Sequence, residues 1–299
     1  MKWEKLGRIF EVNGNFPWMN THASFPYAVN IGNDVFRVYF SPRNSANQSS
    51  IAFFDLNIDN PTKPLNISDK PILCPGKLGL FDDAGVSLSS IIPHNDTEYL
   101  YYVGWHLAQS IPFHVYCGLA ILDKKSNVYI RVKDTPILDR IDNEPYSVGF
   151  CDVMLFREGF KMWYECCEKH KKEGPVFSIK YAESKDGIHW ERNGVTCIQL
   201  SPDEMIVAKP SVIFENNFYK MWYCHKKAHG YRIGYAESDN GIDWVRKDEE
   251  AGITTSESGW DSEQIEYPFV FDHKGERYML YNGNGYGKTG IGLARLLED

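Results

Sequence analysis

Four carboxylates stand where acid–base chemistry could take place. Asp83 and Glu263 come just before apolar runs, whereas Asp152 and Glu266 lie within such runs. A carboxyl inside an apolar run needs a partner or takes a raised pKa, and paired carboxyls can serve as acid, base or nucleophile. We therefore predict Asp83 and Glu263 as the leading acid–base pair, with Asp152 and Glu266 as further catalytic candidates. Asp82 is interpreted as the cap of its turn.

The other polar candidates are residue types that bind hydroxyl-rich ligands. Arginine and asparagine form paired hydrogen bonds, and an aromatic face stacks on the C–H surface of a sugar ring. Arg43 and Lys209 are also suited to a phosphate or carboxylate of the substrate, and His22 to the role of a base. The predicted substrate-binding residues are Asn20, His22, Arg43, Ser87, Trp105, Glu165, Glu204, Lys209, His225, Asn282 and Asn284.

An internal repeat predicts the elements that must position these side chains. The motif KMWY at residues 161–164 recurs at 220–223, which is 59 residues later. It is followed by IKYAES and IGYAES, and then by DGIHW and NGIDW, in the same order. Repeats of this length with short apolar runs and Gly turns are typical of propeller blades.

Three weaker copies of the same unit complete the chain. In all five copies, a Tyr follows one aligned position by 12 or 13 residues. The pairs are Pro26 and Tyr39, Ser89 and Tyr102, Asp152 and Tyr164, Pro210 and Tyr223, and Pro268 and Tyr281. Short strands are predicted at 26–29, 36–40, 51–56, 87–92, 99–103, 116–121, 153–156, 160–164, 177–182, 188–192, 268–271, 278–281 and 291–294. The predicted fold is all-β, a five-bladed β-propeller of four-stranded antiparallel blades that forms one domain over residues 1–299. A β-sandwich is the alternative, but it does not explain the repeated register.

The predicted blade geometry explains why the candidates belong together. The first strand of a blade is innermost, and the second strand runs back to the face on which the first begins. Residues before each first strand and after each second strand should therefore converge at one mouth of the central channel. This convergence predicts a pocket that binds a sugar or glycan.

The repeat resembles that of the five-bladed propeller glycoside hydrolases, the group of families 43, 62, 32, 68 and 130. The resemblance covers essentially the whole chain. Residues 18–20 (WMN) resemble the opening motif of the fructan-cleaving members, and residues 37–43 (RVYFSPR) resemble the first-blade strand of the phosphorylase-like members. It implies a glycosidase-like, carbohydrate-active enzyme that cleaves or transfers a glycosyl unit in a central pocket.

The chain departs from these families at their catalytic positions. Families 43 and 32 place an Asp at the start of the first blade, but residues 20–26 (NTHASFP) contain no acid. The second-blade Arg-Asp-Pro motif is replaced by a segment with Asp82 and Asp83, and the third-blade Glu-Cys by Cys151 and Asp152. The usual carboxylate trio is therefore not transferred, and other blades would supply acids such as Glu204, Glu263 or Glu266.

Two other functions remain open. A glycosyltransferase or glycoside phosphorylase would use Arg43 and Lys209 to hold a phosphate-bearing sugar. A non-catalytic carbohydrate-binding propeller would explain the acid-free first blade. Fold resemblance alone does not decide among these functions.

Composition excludes several other classes. The 299 residues carry a net charge of −8 and no basic stripe, so nucleic acid is not expected as a partner. No apolar stretch is long enough to span a membrane, and the seven cysteines lack paired zinc spacing. We expect no cofactor or metal, and a cytoplasmic location with buried free thiols because residues 1–5 begin no signal peptide.

Overall fold

A computed structural model describes residues 1–14, 16–227 and 230–298. Within these residues the regular secondary structure is almost entirely β-strand, with one 3-10 turn at Asp248–Glu250 and one short helical turn, α1, at Asn284–Gly287. The all-β prediction is confirmed. None of the described helices is long and apolar enough to cross a membrane.

The strands form five antiparallel groups of four. The first group is β2 (Thr21–Gly32), β3 (Val35–Arg43), β4 (Ala52–Asn57) and β5 (Asn66–Ile67). The second is β6 (Gly85–His94), β7 (Thr97–Leu107), β8 (Phe113–Asp123) and β9 (Val128–Arg131). The third is β10 (Val148–Phe156), β11 (Gly159–Lys171), β12 (Gly174–Ser184) and β13 (Glu191–Ile198). The fourth is β14 (Ile206–Glu215), β15 (Phe218–Lys227), β16 (Gly230–Ser238) and β17 (Val245–Arg246).

The fifth group combines both ends of the chain. It contains β18 (Glu266–His273), β19 (Glu276–Asn282) and β20 (Ile291–Glu298), and β1 (Lys2–Phe10) pairs antiparallel with β20 as the fourth strand. Only the three C-terminal strands of this group were predicted from the sequence. The third and fourth groups belong to one eight-stranded sheet, joined through a parallel pair between Phe177 and Ile206.

The first strands of the groups contact one another in cyclic order. Strand β2 contacts β6, and the contacts continue through β10, β14 and β18 back to β2. Side chains connect neighbouring first strands, because the Ser89 hydroxyl donates to the Cys151 carbonyl at 2.7 Å and Val270 N–H donates to Ser211 Oγ at 2.9 Å. We call these five first strands the inner strands; each has two others of the set as neighbours.

Large aromatic side chains fill the spaces between groups. Trp163 and Trp222, from the two KMWY motifs, are completely buried, and Trp163 Nε1 donates to the Gly241 carbonyl of the next group. These tryptophans serve packing between groups. Six of the seven cysteines are buried free thiols, and Cys74 is exposed.

The outer strand of the third group begins later than expected. Residues 188–192 were predicted as that strand, but β13 begins at Glu191. Asp186 Oδ1 accepts hydrogen bonds from the N–H groups of Ile188 and His189, and Ser184 Oγ accepts from Gly187 N–H. These bonds hold the segment in a turn and leave its N–H groups unable to pair with β12.

Candidate active site

The regular pairing of each inner strand is interrupted in the first half of the strand. The pairing of all five inner strands with their neighbours shifts register there. Phe25, Lys209 and Tyr267 occupy this position with φ of 58°, 51° and 55°, each directly before a proline. A left-handed conformation is costly for such large residues, and its occurrence in three strands indicates a constrained local geometry.

An aromatic cluster results from these interruptions. The Phe25 ring lies 4.1 Å from that of Phe150 and 4.2 Å from that of Tyr267, measured between centroids. The Lys209 ammonium lies 6.0 Å from the Phe150 centroid. We refer to Phe25, Phe150 and Tyr267 as the central aromatic cluster. Trp105 packs against its edge and donates from Nε1 to Ser49 Oγ at 2.9 Å.

Glu165 is buried beside this cluster on β11. Its carboxyl fits against Gly149, where an added Cβ would lie 2.6 Å from Glu165 Oε1. Burial raises the pKa of Glu165 to about 8, although the Lys209 ammonium and the backbone N–H of Lys209 act in the opposite direction. Glu165 is therefore protonated at neutral pH and can donate a proton to a bound group.

Glu266 is a second buried carboxyl at the same end of the inner strands. Its Oε1 accepts from Gln264 Nε2 at 2.9 Å, while Oε2 has no hydrogen-bond partner in the part of the chain that the structure describes. Burial raises the pKa of Glu266 to about 8, against the opposing effect of the Tyr286 N–H and Lys226. The register pair of Glu266 with Asn282 places it at the start of β18.

Asp152 serves to join two neighbouring groups of strands. Its Oδ2 accepts from Val212 N–H at 2.6 Å, and Ser90 Oγ lies 3.4 Å from Oδ1. Ser211 occupies the equivalent position in β14, opposite Trp222, and likewise accepts from the next inner strand. Burial raises the pKa of Asp152 to about 6. Its hydrogen bonds give it a structural role that a serine fills elsewhere.

Asp83 and Glu263, the leading pair from the sequence, are not brought together with these carboxyls. Asp83 Oδ2 accepts from Gly79 N–H at 2.8 Å within its own loop, so Asp83 is the turn cap. The cap assigned to Asp82 was wrong, because Asp82 is fully buried and paired with Arg131. Glu263 is exposed.

A repeated ion pair explains Asp82 and Glu204. In four groups, a buried acid before the inner strand pairs with a cation of the outer strand: Asp82 with Arg131, Glu144 with Arg192, Glu204 with Arg246, and Asp261 with Lys5. The hydroxyls of Tyr102, Tyr164 and Tyr281, which belong to the repeated tyrosines, donate to three of these acids. Because the arrangement recurs, it stabilises each group rather than binding a ligand.

His225 belongs to one of these ion pairs. Its Nδ1 lies 2.9 Å from Glu204 Oε1, and both Glu204 oxygens also accept from Arg246 at 2.7 and 2.8 Å. Glu204, His225 and Asp248 could by spacing hold a metal ion. Arg246 occupies the carboxylates of Glu204 and Asp248, so this cluster is an ion-pair network and not a metal site.

The predicted amides hold the backbone. Asn282 is fully buried; its Nδ2 donates to the carbonyls of Ala23 and Gly290, and its Oδ1 accepts from Phe25 N–H. Asn284 Oδ1 accepts from Glu263 N–H, which fixes the loop before β18. Of two further predicted residues, Asn20 is exposed directly before β2, and Ser87 is buried in β6.

Positively charged side chains lie near the beginning of β2. Arg43 ends β3 opposite Thr21, next to His22, and its NH1 donates to Asn47 Oδ1 at 3.0 Å. Burial, Arg43 and Lys288 together lower the pKa of His22 to about 4. His22 is therefore neutral at physiological pH and can act as a hydrogen-bond donor or acceptor.

Sequence reasoning missed several residues of this site. Phe25, Phe150, Tyr267, Tyr286 and Lys226 were not among the candidates, although the aligned positions Pro26, Pro210 and Pro268 mark the strands concerned. The residue before each aligned proline was the available signal.

Two surface cavities lie outside this region. One of about 260 Å³ is lined by residues that include Ile9, Phe16 and Met19, and another of about 220 Å³ includes His106, Tyr116 and Arg140. The first is mainly apolar. Neither contains a predicted site residue.

Comparisons with known proteins agree with the architecture. No protein-family profile matches the chain. A solved structure titled a glycoside hydrolase is similar, with a TM-score of 0.78 and 15% identity, over 97% of this chain and 90% of that one. Another, titled a thermostable family-43 glycoside hydrolase, has a TM-score of 0.69 and 17% identity, over 95% of this chain and 93% of that one. An α-L-arabinofuranosidase from Lactobacillus brevis is also similar, with a TM-score of 0.70 and 11% identity, over 95% of this chain and 92% of that one. These likenesses show a glycoside hydrolase-like fold.

Two curated proteins are similar in sequence along their whole length. They are the uncharacterized proteins MT1551 and Rv1502 of Mycobacterium tuberculosis, from strains CDC 1551 and H37Rv, each 40% identical over 300 residues and 99% of both chains. The chain therefore belongs to the same family as Rv1502 and MT1551.

Proposed function

We propose that the chain is a single-domain, five-bladed β-propeller over residues 1–299 and a carbohydrate-active enzyme that cleaves or transfers a glycosyl unit at the central aromatic cluster. The cyclic contacts of the five inner strands and the pairing of β1 with β20 support the propeller. The likeness to glycoside hydrolases supports the substrate class.

The observation that carries this proposal is the environment of Glu165. Cleavage of a glycosidic bond needs a proton on the departing oxygen, and an acid whose pKa lies near the working pH supplies it efficiently. Burial beside an aromatic surface gives Glu165 such a pKa, about 8. Lys209, directly next to it, is placed to compensate the carboxylate after proton transfer.

Glu266 acts as the second carboxyl of the site. Its Oε2 is buried without a hydrogen-bond partner among the described residues, and a hydroxyl of a bound substrate would supply one. Because Glu165 and Glu266 are both protonated at neutral pH, neither serves as an ionised nucleophile. Both routes of glycosyl transfer need an ionised carboxylate, as base or as nucleophile, so the role assigned in the chemical step is proton donation by Glu165.

The test compares Glu165→Gln with the wild type on aryl glycosides of several pentoses and hexoses. We expect a loss of roughly 100-fold or more for poor leaving groups, because they depend on proton donation. Dinitrophenyl glycosides leave without a proton and should be affected far less. Glu183→Gln is the matched control, since Glu183 lies exposed on β12 and accepts a hydrogen bond from Tyr181.

Other outcomes would reassign the site. Loss of turnover in Asp83→Asn or Glu263→Gln, with Glu165→Gln active, would return catalysis to the pair predicted from sequence. Sugar binding without turnover of any glycoside, sugar phosphate or nucleotide sugar would identify a binding protein instead.

A further inference from the structure

We propose that the substrate carries an anionic group, a phosphate or a carboxylate, which binds between Arg43, Lys226 and the hydroxyl of Tyr286. This inference rests on the proposed function and specifies the substrate class of the same site. It starts from cations that the protein leaves without acidic partners.

Arg43 differs from most of the other half-buried arginines of the chain. The guanidiniums of Arg37, Arg131, Arg192, Arg246 and Arg277 all pair with carboxylates. Among the described residues, by contrast, Arg43 donates to a neutral side-chain amide and contacts no carboxylate. Partial burial lowers its pKa. A desolvated guanidinium without a counter-ion is unfavourable in the free protein, and a bound anion would compensate it.

Lys209 is a second desolvated cation, and it lies near the aromatic cluster. It is 1% exposed, and its ammonium donates no hydrogen bond to any residue that the structure describes. Of the acids that act on it, Asp152 acts more strongly than Glu165. Asp152, with a pKa of about 6, is ionised at neutral pH, whereas Glu165, with a pKa of about 8, is not. Asp152 therefore compensates the Lys209 ammonium, and the proposed anion site does not include Lys209.

Tyr286 lies beside Lys226 and near β3. Its hydroxyl accepts from Lys226 Nζ at 3.4 Å, and its carbonyl accepts from Ser24, which pairs with Ser41, two residues before Arg43 on β3. Tyr286 has a φ of 62° and is 42% exposed, an uncommon conformation for a bulky side chain. The Ser24 hydroxyl donates to the Tyr286 carbonyl and so helps to hold this conformation.

The surrounding charges reinforce the arrangement. Lys288 is exposed near His22 and forms no ion pair within the described chain, while His22 is neutral. Glu266 is also uncharged at neutral pH. This end of the channel is thus positive in a protein whose net charge is −8. Such a local potential attracts anions and repels cations.

Isothermal titration calorimetry on the full chain at low salt provides the test. The probes are inorganic phosphate, glucose 1-phosphate, glucuronate and glucose. We expect the anions to bind and glucose to bind at least roughly 10-fold more weakly, because charge-assisted hydrogen bonds are stronger than neutral ones. Comparing phosphate, sugar phosphate and uronate identifies the source of the anion.

Variants locate the binding site. Arg43→Met and Lys226→Met should each weaken anion binding by roughly 10-fold or more, whereas Arg43→Lys should retain part of it. Arg157→Met is the matched control, because Arg157 lies exposed in the turn between β10 and β11 at the opposite end of the strand. Circular dichroism of each variant verifies folding.

The outcomes separate this inference from the proposed function. Equal binding of glucose and the anions, or anion binding that Arg43→Met and Lys226→Met leave intact, would overturn the inference. Cleavage of neutral glycosides in that case would leave the proposed function standing. Anion binding that depends on Arg43 but occurs without turnover of any glycosyl donor would support the inference and refute the enzyme.

Discussion

Replacing Glu266 with glutamine should make the fold less sensitive to alkaline pH. The Glu266 carboxyl is completely buried, and its pKa rises from 4.5 to about 8 on folding. Between these two values the folded protein retains a proton that the unfolded chain has released. The stability that this group contributes is therefore fully present below pH 4.5 and is lost as the pH rises to about 8.

The magnitude follows from this difference in pKa. Each pH unit between the two values lowers the free energy of unfolding by about 1.4 kcal/mol. From pH 5 to pH 7.5 the wild type should lose roughly 3 kcal/mol through Glu266. The Glu266→Gln variant cannot ionise at this position and should lose none of it. Glu165 titrates similarly in both proteins, so its contribution cancels in the comparison.

Urea unfolding at several pH values measures the effect. The difference in free energy of unfolding between the variant and the wild type should increase by roughly 3 kcal/mol from pH 5 to pH 7.5. Glu263→Gln is the control, because this exposed carboxylate should leave the difference constant. Coincident fluorescence and circular dichroism transitions establish that one free energy applies. A pH-independent difference for Glu266→Gln would refute the burial argument.

Two further predictions concern stability. Arg246→Met removes the guanidinium from the buried Glu204 carboxylate and should lower the free energy of unfolding by about 3–5 kcal/mol at pH 7, measured by thermal or urea unfolding. Arg295→Met, which breaks a half-exposed ion pair, should lower it by under about 1 kcal/mol. Because Arg246 lowers the pKa of Glu204, the cost of Arg246→Met should be smaller below pH 4 than at pH 7. An equal cost at these two pH values would contradict this. Asn282→Ala removes three hydrogen bonds to backbone groups and should cost about 1–3 kcal/mol, with faster amide exchange at Phe25; unchanged exchange would contradict it.

Much of the fold was predictable because the same physical pattern occurs several times. Short apolar runs and glycine turns located most strands, and the repeated KMWY motifs located the second strands of two groups. The pairing of β1 with β20 was not predictable from local pattern, since it joins segments about 290 residues apart and β1 carries no repeat motif. The late start of β13 depended on side-chain hydrogen bonds of Asp186, which a Gly turn signal does not reveal.

The site was harder to predict because loop position is a poor guide to burial. Asp83 and Glu204 both precede an inner strand, yet one caps a turn and the other forms a buried ion pair. Glu263 also precedes a strand and is exposed. The chemical character of these carboxyls depends on which neighbours desolvate or pair with them, and those neighbours come from distant parts of the chain.

Departure from the repeat is a better guide to function than position alone. The residue after the repeated Tyr lies at an equivalent place in every group, and the five residues there are Phe40, Val103, Glu165, Cys224 and Asn282. Packing explains the apolar ones, and backbone hydrogen bonds explain Asn282. Glu165 alone among them places a carboxyl in an apolar setting, where it is destabilising unless used.

The same comparison applies at the interrupted position of the inner strands. Phe25 and Tyr267 occupy it with aromatic rings that pack together, whereas Lys209 introduces a buried ammonium at an equivalent place. An aromatic residue there would satisfy packing without the desolvation of a charge. The repeat thus provides an internal reference, and the two positions that depart from it at a cost, Glu165 and Lys209, interact with each other.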